Sequence, residues 1–140
     1  MTSKRHLVMA AGVLIVLLIL AFLAIRRRRS HTLNPEQFAQ RWQELQKQCV
    51  SRKAWPAAII DADNLLDDAL KRRRYKGKTT GERLVSAQHT LSSNSTVWFG
   101  HKLRNRITGE DVRKLKKQEV ISALSGFREA LRDLGALKRD

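Results

Sequence analysis

The chain is 140 residues long, enough for one compact domain beside a short terminal segment. It carries 28 Lys and Arg against 13 Asp and Glu, a formal charge of +15, so its folded part is drawn toward anionic lipid, nucleic acid or acidic protein by long-range attraction. The single cysteine, Cys49, excludes an internal disulfide framework and a cysteine-based zinc site.

Leu7 to Ile25 is a run of 19 residues without a charge, LVMAAGVLIVLLILAFLAI. As a helix it spans roughly 28 Å, close to the hydrocarbon thickness of a bilayer. A core helix of a soluble protein would show a polar face, and a signal peptide would end in a small-residue cleavage site. This run has no polar face and passes straight into Arg26, Arg27, Arg28 and Arg29. Residues 1–29 are therefore expected to form one transmembrane anchor with basic flanks. Four arginines behind the span against Lys4 and Arg5 before it place the C-terminal side in the cytoplasm. The arginines can also reach anionic head groups, at about 1 kcal/mol each near the surface. Their plainer role is to stop transfer.

Residues 30–140 still hold 22 basic against 13 acidic residues, and their pattern predicts a helical bundle. Asn34-Pro35-Glu36-Gln37 reads as a helix start, with Asn34 as N-cap, Pro35 in the first turn and Gln37 reaching back. Phe38, Trp42, Leu45 and Cys49 then follow at four-three-four spacing, one face of a helix that ends near Val50 to Lys53. Cys49 reads as a small core residue.

A second helix is predicted from Ala54-Trp55-Pro56 to about Arg73, with Ile59, Ala62, Leu66 and Leu70 as its buried stripe. Asp67 with Lys71, and Asp68 with Arg72, are acid-first pairs four residues apart. Asp61, Asp63, Asp67 and Asp68 scatter around this helix without a His or Cys, which predicts a solvated face and no metal. Lys71 to Lys78, KRRRYKGK, is a basic loop. Thr80 or Gly81 caps a short helix from Glu82 to about Leu91, and the run Ser92 to Ser95 leads into a helix from Thr96 to about Ile107, broken by Gly109. A last helix carries Val120, Leu124, Phe127, Leu131 and Leu134 and closes at Gly135. Five helices with short connections imply an all-α, up-and-down bundle behind the anchor.

No Walker or dinucleotide loop and no metal-spaced histidines occur, so no cofactor is implied. The informative stretch is VWFGHKLRNRITG, Val97 to Gly109. On one helix Trp98, His101 and Asn105 share a face, with Arg104 beside them. An inward polar set of this kind is costly unless hydrogen-bonded. It serves either to tie this helix to its neighbours or as a functional surface, and both readings stand.

Arg104-Asn105, followed by three residues and a turn, resembles the Arg-polar-x-x-x-His motif of HEPN domains, helical bundles that include many dimeric ribonucleases. The segments AIIDADNLLDDAL, YKGKTTGERL, WFGHKLRNRI and ALRDLGAL also resemble a group of small bacterial membrane-anchored proteins, over roughly residues 54–137. The resemblance implies a bundle fold, a second copy of the chain as a partner, and an Arg and His that act together on RNA. In this sequence Arg104 and Asn105 match the first two places, and Gly109 stands where the histidine belongs. Glycine has no proton to exchange, so a non-catalytic module is expected.

That module would present a basic surface to an acidic protein partner: Arg72, Arg73, Arg74, Lys76 and Lys78, with the Arg104 to Arg106 edge. The first alternative is a membrane-tethered RNA-binding protein or ribonuclease, with Trp98 and Tyr75 available for stacking. The second is a domain held on anionic lipid.

Overall fold

The computed structural model describes residues 2–31, 33–110, 112 and 114–139. It is all-helical: α1 (Thr2–His31), α2 (Pro35–Gln48), α3 (Trp55–Arg72), α4 (Thr80–Ser86), α5 (Asn94–Glu110) and α6 (Lys117–Asp133), with a 3-10 turn at Arg52–Ala54. No strand occurs among the described residues. The chain divides into two compact units, residues 1–32 and residues 33–140.

In the first unit, the part of α1 from Thr2 to Ile25 is long and apolar enough to cross a membrane. Its side chains are exposed throughout, Leu7 to 74% and Ile25 to 55%. A helix that is apolar all round needs an apolar surrounding on every side. The side chains of Arg26, Arg27, Arg28 and Arg29 lie outside the described residues.

The second unit is the bundle, and α3 is its shared element: α2, α4, α5 and α6 all pack on it. Ala58, Ile59, Ala62, Leu65, Leu66, Ala69 and Leu70 are at most 1% exposed, a wider apolar face than the stripe of four expected. The most extensive helix pair is α5 with α6. Phe127 is fully buried there, and a Cβ on Gly100 would come within 2.8 Å of its ring. A Cβ on Gly126 would collide with the carbonyl oxygen of Thr96. Two helices approach this closely only because both contact points lack side chains.

Local chemistry sets the helix ends. The Asn34 carboxamide oxygen accepts from the N–H groups of Glu36 and Gln37 at 3.2 and 3.4 Å, so Gln37 takes part through its backbone. Glu119 reaches back to the Lys116 N–H at 3.0 Å to start α6. Gly135, at φ +76°, ends α6: the Ala136 N–H bonds to the Leu131 carbonyl at 2.8 Å and the Gly135 N–H to that of Arg132 at 2.9 Å.

Several expectations are corrected. Thr79, not Thr80 or Gly81, caps α4, which ends at Ser86 and is a short strut rather than a full bundle helix. Gly109 does not break α5, which continues to Glu110; glycine weakens a helix by about 1 kcal/mol without stopping it. Leu124 is only partly buried, and Ala123 takes the inward position instead. Cys49 packs partly against the core, where burial pushes its thiol pKa up, and its carbonyl accepts from the Trp55 indole at 2.8 Å.

Candidate functional site

The acids of α3 form a solvated face only in part: Asp61 is exposed and the Asp68 side chain is 42% exposed, while Asp63 and Asp67 turn inward. Asp63 is 1% exposed, and it is the residue around which the predicted polar cluster assembles. It lies four residues after Ile59 and three before Leu66, the spacing that points a helical side chain inward. His101, on α5, brings its Nδ1 to 2.8 Å from Asp63 Oδ1. A carboxylate only accepts, so Nδ1 donates, and in the neutral imidazole the lone pair is then on Nε2. Asn105 Nδ2 stands 3.4 Å from that Nε2, and Arg104 Nη1 donates to Asn105 Oδ1 at 3.2 Å. Arg104 Nε, 3.6 Å from Asp63 Oδ2, closes the ring as an ion pair without a hydrogen bond. Donors and acceptors therefore run one way, from Arg104 through Asn105 and His101 to Asp63. Trp98 meets the imidazole edge-on, with centroids 5.7 Å apart.

One turn along α3, Asp67 forms a second polar tie. Arg83 of α4 grips its carboxylate through Nε at 2.7 Å and Nη2 at 3.1 Å, and Lys71 adds a contact at 3.2 Å. Burial alone would raise the Asp67 pKa. Hydrogen bonds and charge from Arg83 and Lys71 outweigh it and hold the carboxyl below its ordinary value. The third Arg83 nitrogen, Nη1, donates to the Gly77 carbonyl, which fixes the loop between α3 and α4.

These two ties flank a cleft of about 530 Å³ lined by Lys78, Thr79, Thr80, Gly81, Arg83, His101, Arg104 and Asn105. Of the residues expected at a site, the structure gathers His101, Arg104, Asn105 and Lys78 here. The other basic residues go elsewhere. Arg73 donates to the Leu134 carbonyl at 2.7 Å, beside a separate cleft of about 340 Å³, and Arg106 lies 3.7 Å from Glu119. Arg74 and Lys76 are exposed, and Arg72 is partly buried. Tyr75 and Trp98 both pack partly against the core, and the Tyr75 hydroxyl shares a hydrogen bond with Thr90 at 2.7 Å.

Asp63, Thr79, Thr80 and Arg83 were missed. Asp63 had a signal, its place at helical spacing within the apolar stripe. Arg83 had none, because its partner Asp67 is 16 residues away. Gly109 is exposed, with nothing within 4 Å of a Cβ built on it, and it stands apart from the cluster. Among the described residues, no three His, Cys, Asp or Glu side chains converge as a metal site would require.

Family models, curated proteins and solved structures were all compared with the chain, and none matches it.

Proposed function

We propose that the chain is a membrane-anchored, non-catalytic interaction module: a HEPN-like bundle held on the cytoplasmic face by α1, whose basic surface engages an acidic protein partner. The observation that carries the non-catalytic reading is the direction of the cluster's hydrogen bonds. His101 directs Nδ1 to Asp63 and faces Asn105 with Nε2 at 3.4 Å, so both nitrogens are turned to neighbours within the protein while those contacts hold. Gly109, in the place of the motif's histidine, supplies none. The anchor reading is supported by the apolar, fully exposed span of α1, and the cytoplasmic side by the arginines that follow it.

Crosslinking in cells, followed by purification of the full chain from membranes with protein and RNA both read out, tests this. The expected result is an acidic protein whose capture falls when Lys76 and Lys78 are replaced by Glu. Protease added to intact cells should leave the bundle uncut; digestion without permeabilisation would reverse the topology.

One observation favours a second reading, an RNA-binding or RNA-cleaving protein: the His101–Asp63 pair borders a cleft rich in cations. The Asn105 contact at 3.4 Å is long for a hydrogen bond, and its loss would free Nε2 as a base. Cleavage of RNA by the full chain that disappears in both His101→Ala and Arg104→Ala would put this reading first.

A further inference from the structure

We propose that the cleft between the Lys78–Gly81 loop and α5 is a binding site for a phosphomonoester, carried either by a small molecule or by a lipid head group. The lining contains three cations, two hydroxyls and a carboxamide, and no carboxylate. Counter-charges lie beneath or beside it and are largely spent. Asp67 is matched by Arg83 and Lys71, and Asp63 accepts its hydrogen bond from His101. Glu82, on α4 outside the lining, is turned to the Lys78 backbone N–H at 2.5 Å.

What remains unspent faces the same space. The Lys78 ammonium has no ion-pair partner among the described residues. Arg104, which lines the cleft, uses Nη1 on Asn105 and holds Nε near Asp63, which leaves Nη2 as its uncommitted donor. Thr79 Oγ1 accepts from the Glu82 N–H at 3.2 Å and keeps its own proton to donate. A phosphomonoester offers three terminal oxygens and a charge of about −1.5 to −2 at neutral pH. It can take Lys78, Arg104 and a threonine hydroxyl together. A bridging phosphodiester offers two such oxygens and one charge.

The site is also prepared in advance. The loop is pinned by Arg83 on the Gly77 carbonyl, by Ser86 Oγ on the Lys76 carbonyl at 2.6 Å, and by Glu82 on the Lys78 N–H. Little ordering entropy is then left to be lost on binding. The cleft volume exceeds that of a phosphate alone and lies in the range of small-molecule sites, so it accommodates the body that bears the phosphate. The lipid form of this inference rests on the membrane-anchored reading, and the small-molecule form does not.

The test uses the full chain in phosphatidylcholine nanodiscs, titrated calorimetrically with inorganic phosphate and with glycerol phosphate. A parallel set of discs contains phosphatidic acid. Saturable binding near one equivalent is expected, weakened about ten-fold by Lys78→Gln and by Arg104→Gln, each of which removes a charge-assisted contact. Lys102→Gln, an exposed charge on α5 outside the lining, should change it less than two-fold. Competition by phosphatidic acid assigns the lipid source, and unchanged binding assigns the free ligand. Lys78 is exposed and outside the polar ring, so its variant decides even where Arg104→Gln perturbs folding. No saturable binding in either disc overturns the inference, as does equal weakening by Lys102→Gln, or binding of a 5′-hydroxyl RNA without binding of phosphate. An acidic protein still captured from membranes in that event would leave the proposed function standing. Phosphate binding with no protein partner captured would remove that reading and keep this one.

Discussion

The α5–α6 seam and the side of α3 that carries Asp63 and Asp67 hold the same bundle together by opposite means. The first is dry: Phe127 is fully buried, and Gly100 and Gly126 admit close approach. The second is a row of charges, with Asp63 and Asp67 four residues apart on α3 and held by His101 and Arg104 of α5 and Arg83 of α4. Apolar contacts hold wherever shapes fit, and they carry stability without direction. Charged ties are close to neutral against an apolar replacement and costly to break one-sidedly, but they fix donors and acceptors in one arrangement. The cleft opens beside the polar ties.

The largest test of this contrast is Phe127→Ala. Truncation leaves a cavity between α5 and α6 that the glycines cannot fill, and about 3–5 kcal/mol should be lost in urea unfolding monitored by circular dichroism. Asp63→Ala should cost less, about 1–3 kcal/mol, the penalty for leaving buried donors without an acceptor. Arg104 is partly exposed and can turn to water, while His101 cannot. If Asp63→Ala proved the more damaging, the polar side would be the stabilising one and the contrast would be reversed.

Asp67 sharpens the comparison through pH. Its folded pKa is depressed, so the stabilisation it gives is present above the unfolded value of about 3.9 and is lost as pH falls through the folded value. Asp67→Asn should cost about 1 kcal/mol at pH 7. The gap between wild type and variant should close in unfolding experiments carried below pH 4. A constant gap down to pH 2.5 would show that the Arg83 grip does not depend on the Asp67 charge. Phe127→Ala, which removes no titrating group, should show a gap independent of pH over the same range.

The contrast also explains what was legible in the sequence. Phe38, Trp42 and Leu45, then Ile59, Ala62, Leu66 and Leu70, and Phe127 with Leu131 announce their helices by spacing, and the structure buries all three sets. Helical period depends on near neighbours, which one sequence displays. The shared face of Trp98, His101 and Asn105 was legible for the same reason. Asp63 was legible only as a residue at inward spacing and Arg83 not at all, because a charged residue is normally exposed unless paired, and their partners lie 38 and 16 residues away. Only the fold brings those distances together. Leu124 failed differently: it keeps the apolar period but is only partly buried, while Ala123 beside it is fully buried.

The smallest expected effect lies in the loop that joins α3 to α4. α3 ends with the Arg74 N–H on the Lys71 carbonyl and the Tyr75 N–H on the Leu70 carbonyl, at 3.0 and 3.1 Å. That motif puts its pivot in the left-handed region, and the pivot here is Arg74, at φ +63°, where Gly135 serves in α6. A residue with a Cβ is strained there by roughly 1–2 kcal/mol. Glycine relieves the strain and loses about 0.5–1 kcal/mol through its freer unfolded chain. Arg74→Gly should therefore stabilise the bundle, by at most about 1.5 kcal/mol from the difference of those two effects. The exposed Arg74 side chain does not line the Lys78 cleft, so phosphate binding should change less than two-fold. A stabilised variant with unaltered binding would show that the loop's geometry comes from its hydrogen bonds to α3 and α4. A destabilised one would mean that the Arg74 side chain itself holds the turn, and that the polar side of the molecule extends further than Asp63 and Asp67.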